Sequence, residues 1–347
     1  MKSLLLCLIA LGVLFSAQLV KGDGLIRPKV IVVVTFEEGN DTGDRPGEFQ
    51  FWVEREKLTK TMVVPGVDHI VRYNDEGTFG VVAGAMAPSG MQIMALGLDP
   101  RFDLSHTYWI VNGIAGVNPE LASIGSAAWA PHVVNGDSAY EIDSREIPAS
   151  WPYGIIPLGS KTPNTPPDLT NFGWLPPLCW TMNPALVQWA YGLTKNVVLF
   201  DTPAAQKLRA LYTNYPEAQK PASVFLGDSF DTCRYWHGAV MAKWASDWDK
   251  IFTHGEGRFA MTATDDQGIA GGLFRLSHMK KVDFQRVLFL RTGSNYCVPH
   301  PGQTAQDSMT AEYDGLIPAL EAAYRTGSVV LHAIEKNWSQ YENETPK

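Results

Sequence analysis

The sequence predicts an α/β protein with a mixed, mostly parallel central sheet flanked by helices. Three observations carry that expectation. Strand-like apolar runs alternate with helical segments along most of the 347 residues, the pattern of strand–helix–strand units. The first run, residues 30–36, is β-branched and apolar on both alternating faces, as in a strand buried between two helical layers. Strand candidates also close on glycine or polar residues, where open α/β sheets hold their ligands.

The elements follow in order. After the strand at 30–36 comes a polar, glycine-rich loop, 37–47, and then a strand at Thr78–Val82 that ends before Gly84. Pro88-Ser89 opens a helix that runs on through 91–98. Residues 107–111 read as a strand entering Asn112-Gly113-Ile114-Ala115-Gly116, and 127–134 as one further strand. The stretch 151–177 is rich in Pro and Gly and reads as a long loop, of the kind that covers a site. Helices are expected at 184–193, 204–211 and 239–248. A short strand at 224–225 precedes Gly227-Asp228-Ser229-Phe230. A strand at 261–264 leads into a helix at 268–279, and 287–291 reads as a central strand. Residues 303–335 form a long helical region, broken near Gly327.

The domain plan has three parts: residues 1–22 as a signal peptide, 23–340 as a single α/β domain, and 341–347 as a polar tail. Lys2, the apolar run 4–15 and the small and polar residues before Gly22-Asp23-Gly24 have the order of a cleaved secretory signal. That run is too short to cross about 30 Å of hydrocarbon, and no later window reaches about 20 apolar residues. The chain is therefore expected to be secreted or held at the cell surface, and not to span a membrane. The net charge of −8 opposes phosphate backbones, which excludes nucleic acid as a partner.

Without Cys7 of the signal, Cys179, Cys233 and Cys297 remain, and the expected disulfide is Cys179–Cys233. Sequons begin at Asn40, Asn337 and Asn343, and the two near the C-terminus are the expected glycosylation sites. No phosphate-cradling G-x-x-x-x-G-K-[ST], dinucleotide G-x-G-x-x-G or G-x-S-x-G nucleophile elbow occurs. No His/Cys spacing suits zinc, and neither a metal nor a resident cofactor is expected.

Four strand-end segments hold the candidate chemistry. Asn112, Gly113, Ala115 and Gly116, followed by Ile124-Gly125-Ser126, let backbone lie close to a flat ring, because a Cβ would block that approach. Gly84 and Ser89 flank a helix start able to hold phosphate. Gly227-Asp228-Ser229-Phe230 offers an aromatic ring for stacking. Asp265, Asp266 and Gln267 precede a helix, and Ser294 and Asn295 follow a strand. Together these segments resemble the nucleoside phosphorylase and nucleosidase family. That resemblance implies a purine nucleoside as ligand, Phe230 against the base, Gln267 where a ribose-gripping Glu is expected, and Asn295 where a catalytic acid is expected. An amide donates a hydrogen bond to the leaving purine but cannot protonate it, and in that family Asn accompanies 6-oxopurines.

Within this fold the stretch from about 24 to 338 is most similar to the purine nucleoside permease family. Arg27-Pro28-Lys29-Val30, Phe36-Glu37, Gly154-Ile155-Ile156-Pro157, Trp236-His237 and Arg291-Thr292-Gly293-Ser294-Asn295-Tyr296 carry the likeness. The resemblance implies a part in purine nucleoside uptake and a homo-oligomer. Asn295, Asp266 and Glu37 are the candidate catalytic groups, Glu37 as activator of water. No Arg lies near Pro88-Ser89 in sequence, so phosphate as co-substrate stays open beside hydrolysis. The alternatives are a nucleoside-binding component of uptake without catalysis, or a storage protein.

Overall fold

A computed structural model describes residues 24–347; the expected signal peptide lies outside the described residues. The chain opens with β1 (Val30–Val34), α1 (Gln50–Arg55), β2 (Lys60–Met62), β3 (Val71–Tyr73), β4 (Thr78–Val82) and α2 (Ala87–Leu98). The strands β5 (Tyr108–Val117), β6 (Ala127–Trp129), β7 (His132–Asn135), β8 (Ala139–Glu141), β9 (Ile155–Pro157) and β10 (Cys179–Thr181) follow. Then come α3 (Pro184–Thr194), α4 (Pro203–Leu211), β11 (Val224–Leu226), β12 (Asp228–Asp231), α5 (Ala239–Phe252), β13 (Phe259–Ala263) and α6 (Asp266–His278). The last elements are β14 (Val287–Tyr296), α7 (Ala305–Met309), α8 (Leu316–Lys336) and α9 (Trp338–Tyr341).

A large mixed sheet runs in the order β10-β7-β12-β13-β5-β1-β4-β3-β2, with β14 pairing β5 and β6, and β6 pairing β11. The inner pairs β1/β4, β1/β5, β14/β5 and β12/β13 are parallel, as the apolar runs imply. Every residue of β1 is buried. The expected strand at 127–134 is two strands, separated at Ala130-Pro131, because proline has no N–H for the ladder. β6 then joins β14 antiparallel, while β7 joins β12 parallel. The two branches of the sheet meet again at that break, so the ends of β5, β12, β13 and β14 are drawn around a common space.

Other differences have local causes. Gly227–Phe230 was expected as a turn beyond a strand, but Asp228–Asp231 is itself strand β12. The long C-terminal helix breaks at 310–315 and passes through Gly327 without interruption. A Cβ at Gly327 would lie 2.7 Å from the Trp52 ring, so the glycine serves packing. α2 and α6 approach closely for the same kind of reason: a Cβ at Gly90 would sit 2.5 Å from the Gly268 carbonyl oxygen.

Residues 341–347 are not a detached tail. The Tyr341 carbonyl accepts from the Tyr108 hydroxyl at 2.8 Å and from Arg286, and Pro346 is buried. The expected Cys179–Cys233 disulfide is absent, and all three described cysteines are free. Cys179 pairs with Val134 on one side of β7, whereas β12, which leads to Cys233, lies on the other. Two strand spacings of about 4.8 Å exceed the reach of a disulfide.

Candidate functional site

A cavity opens at the carboxyl ends of the parallel strands. Thr35 follows β1, Ala85 and Met86 lie between β4 and α2, and Ile114, Ala115 and Gly116 end β5. Arg291, Ser294 and Asn295 on β14 face Thr262 and Asp265 at the end of β13. Trp236 and His237 close one side, while Tyr235 and Tyr313 line the approach.

One end of the cavity is a buried charge cluster. The Arg291 guanidinium, 1% exposed, donates from Nε to both Asp266 oxygens at 3.1 and 3.0 Å, and from Nη2 to Asp265 and Asp266. Burial disfavours its charge, but the two carboxylates outweigh burial and Arg291 stays protonated. Burial also pushes the Asp265 carboxyl up to about 7, against the opposing pull of Arg291. Behind them, burial and then the charge of Asp266 raise Asp231 well above the usual carboxylate range.

Glu48 completes the cluster. Its Oε2 accepts from the Thr35 backbone N–H and hydroxyl, both at 2.8 Å, and its Oε1 from the Ile114 N–H at 2.7 Å. Burial raises its pKa, with Arg291 and these hydrogen bonds acting the other way. The result is a carboxyl held between the ends of β1 and β5, with its proton affinity raised.

The other end is less charged. A register shift in the β14/β5 pairing between Gly293 and Asn295 brings the Asn295 side chain to the cavity. Asn295 Oδ1 accepts from the Ser294 hydroxyl at 3.0 Å, and its Nδ2 donates to the Tyr296 carbonyl at 3.1 Å. The second N–H of that amide has no protein partner among these bonds. Gly116 donates to the Thr262 hydroxyl at 2.9 Å, and a Cβ at Gly116 would crowd that oxygen. Trp236 offers a broad apolar surface beside these groups.

Ala115, Gly116, Asp265, Ser294 and Asn295 thus line one cavity, and Asp266 lies directly behind it on Arg291. The other expected residues lie elsewhere. Glu37 accepts four backbone N–H groups, from Glu38, Gly47, Phe49 and Gln50, and so fixes the loop before α1 instead of facing the cavity. Asn112 is turned into the core, accepting from Trp52 Nε1 and donating to the Leu290 carbonyl, both at 3.3 Å. Gly113 makes room for Arg291, whose guanidinium a Cβ would overlap. Phe230 is fully buried among Trp236, Trp244 and Phe259, so it backs Trp236 and does not reach the cavity.

Gln267 points out of the cavity into a neighbouring groove, where it donates to Asp137. Gly84, at φ 70°, shapes the turn before α2. The Ser89 hydroxyl donates to the Met86 carbonyl at 2.7 Å and the Asp265 carbonyl at 3.1 Å, joining α2 to α6 instead of facing an anion. Asn337 and Asn343 are exposed, and Asn337 Nδ2 donates to the Ala333 carbonyl at 2.8 Å.

Glu48 and Arg234 are cavity residues that the sequence reading did not single out, and Arg291 and Trp236 entered only within segments carrying the family likeness, with no site role given. Glu48 stands beyond a loop, more than ten positions after the strand it contacts, and no spacing marks it. Arg234 is distant in sequence from Ala85 and Met86 but lines the same cavity.

The sequence model described as purine nucleoside permease matches residues 27–346. A purine nucleoside permease of Candida albicans is 31% identical, over 93% of this chain and 79% of its own length. A Schizosaccharomyces pombe protein whose name carries the same permease description is 27% identical, over 94% of each chain. Among solved structures, the 5′-methylthioadenosine/S-adenosylhomocysteine nucleosidase of Neisseria meningitidis is similar at a TM-score of 0.51 and 12% identity. The similarity covers 89% of this chain and 100% of that one. At that identity the likeness extends to the fold.

Proposed function

The chain belongs to the purine nucleoside permease family, and from that premise we propose that it binds a purine nucleoside and cleaves its N-glycosidic bond with water. The carrying observation is one cavity with a buried acid–guanidinium cluster at one end and an amide beside an indole at the other. Glycosidic cleavage needs this polarity, because positive charge grows on the ribose while negative charge grows on the base.

In this reading the base lies against Trp236 over Ala115 and Gly116, and the spare Asn295 N–H hydrogen-bonds its ring nitrogen. Asp265, aligned by Arg291, accepts from the ribose hydroxyls. Glu48 takes one proton from water, the water oxygen bonds to the anomeric carbon, and the bond from that carbon to the purine nitrogen breaks. The purine leaves with the bonding pair and is protonated from solvent, since Asn295 has no acid to give. Burial raises the proton affinity of Glu48 above that of an ordinary carboxylate, which makes it a better base for that task.

Among the described residues no helix is long and apolar enough to cross a membrane. We therefore read the family's part in uptake as capture or cleavage outside the membrane, reached through the N-terminal export signal, by a homo-oligomer. Arg234, which lines the same cavity as Ala85 and Met86 and pairs with Asp137 and Glu141, favours one second reading, in which phosphate replaces water.

The test is to incubate the purified mature protein with inosine, guanosine and adenosine, with and without phosphate, and to follow free base by chromatography. Base released without phosphate is expected. Release only with phosphate selects the second reading; binding without release leaves capture alone, and neither binding nor release removes the nucleoside from the account.

A further inference from the structure

We propose that His237 is a specificity-determining residue that hydrogen-bonds the edge of the bound purine, a role resting on the nucleoside reading of the cavity above. Its ring lines the cavity next to Trp236. The adjoining Gly238 N–H donates to the Cys297 carbonyl at 2.9 Å, which ties residues 236–238 to the chain just beyond Asn295. His237 is thereby held at the amide–indole end and not at the Arg291 cluster.

The imidazole is incompletely satisfied. His237 Nε2 is closed off from bulk water and has no hydrogen-bond partner among the described residues. Burying a polar nitrogen in this way has a cost that a ligand can remove by supplying the partner. Burial also holds this histidine below its usual range, so the ring is neutral near pH 7. A neutral imidazole carries one donor and one acceptor. A purine edge presents both kinds of group, whereas the ribose hydroxyls have Asp265 available at the opposite end. No carboxylate or guanidinium is hydrogen-bonded to the His237 ring, so its tautomer is free to adapt to the base.

This arrangement differs from a stacking contact, because it depends on nitrogen lone pairs and N–H groups and not on ring area. His237→Phe keeps a flat ring of similar size and removes both. His237→Gln restores a donor and an acceptor without the ring.

The experiment measures dissociation constants of inosine, of free hypoxanthine and of ribose by calorimetry, on the full mature chain and on His237→Phe and His237→Gln, with Glu48→Gln added to each in the inosine titrations so that inosine is not consumed. Ring nitrogen shifts of His237 are followed by NMR in parallel. Loss of one net hydrogen bond predicts affinity roughly 5- to 10-fold weaker for both inosine and hypoxanthine in His237→Phe. Partial recovery in His237→Gln and a hypoxanthine-dependent shift of the ring nitrogens are also expected. Unchanged hypoxanthine affinity in His237→Phe overturns the inference, as does an effect on inosine without one on hypoxanthine, which would place the contact on the sugar. If the unaltered protein binds neither inosine nor hypoxanthine, the nucleoside reading itself falls and takes this one with it.

Discussion

Glu48 carries the sharpest consequence for a single side chain. Its two oxygens are fixed by Thr35 and Ile114, and it is the cavity carboxyl held by neutral donors alone. Glu48→Gln is expected to slow base release by about 100-fold or more, the scale of a lost general base, while inosine binding persists. Binding also serves as the control for folding, since the new amide sets a donor against one of those N–H groups. Release at the parent rate would remove Glu48 from the mechanism. The same residue shows what residue-level reading of the sequence could not reach. Glu37 was the expected acid because it follows β1 directly, yet its carboxylate is occupied by four backbone donors. Two acids eleven positions apart look alike in a polar loop, and only the path of that loop distinguishes them.

At the scale of elements, the contact between α2 and α6 holds the cavity's edge in place. Met86 and Ala85 precede α2, Asp265 precedes α6, and the Ser89 hydroxyl links them. The helices meet through Gly90 and Gly268, where a Cβ at Gly90 would strike the Gly268 backbone and one at Gly268 would strike the Ser89 hydroxyl. Gly90→Ala is expected to destabilise the fold by roughly 1–3 kcal/mol, the usual cost of overpacking. Thermal unfolding reads this as a lowered Tm, and an unchanged Tm would mean that the helices separate without loss. The central strands and the longer helices were legible from periodicity to within a few residues, whereas the short strands β2, β3, β8, β9 and β10 were not, and β9 lies within the stretch 151–177 expected as a loop. The misread 227–230 depends on which neighbours its strand pairs with, and pairing is not a local property, whereas 127–134 is divided by Pro131 and its two halves then pair with different strands.

For the whole molecule, buried acids set the response to pH. Asp249 on α5 faces Asp228 on β12, and the two carboxylates converge on Gly257. His132 on β7 bonds Asp228 at 3.0 Å, Cys179 on β10 lies nearby, and Lys250 is the neighbouring cation. Burial, and then the charge of Asp228, push Asp249 up to about 8. An unfolded Asp titrates near 3.9, so between about pH 4 and 8 the folded state binds the extra proton, and stability falls as pH rises through that window. Asp249→Asn removes this contribution. Its Tm is expected to decline less than that of the parent between pH 5 and 9, and parallel declines would show that Asp249 contributes nothing to the slope.

The sequence by itself determined the α/β class, the parallel centre of the sheet, and the family to which the chain belongs, because these rest on local apolar periodicity and on short strand-end motifs. It also brought Ala115, Gly116, Asp265, Ser294 and Asn295 forward as residues of one cavity. Tertiary structure alone decided that Glu48 and Trp236 line the cavity while Glu37 and Phe230 do not, and that Ser89 and Gln267 face away. The reason is geometric: a shift of one position along a strand turns a side chain to the opposite face, and register is set by partners far away in the chain.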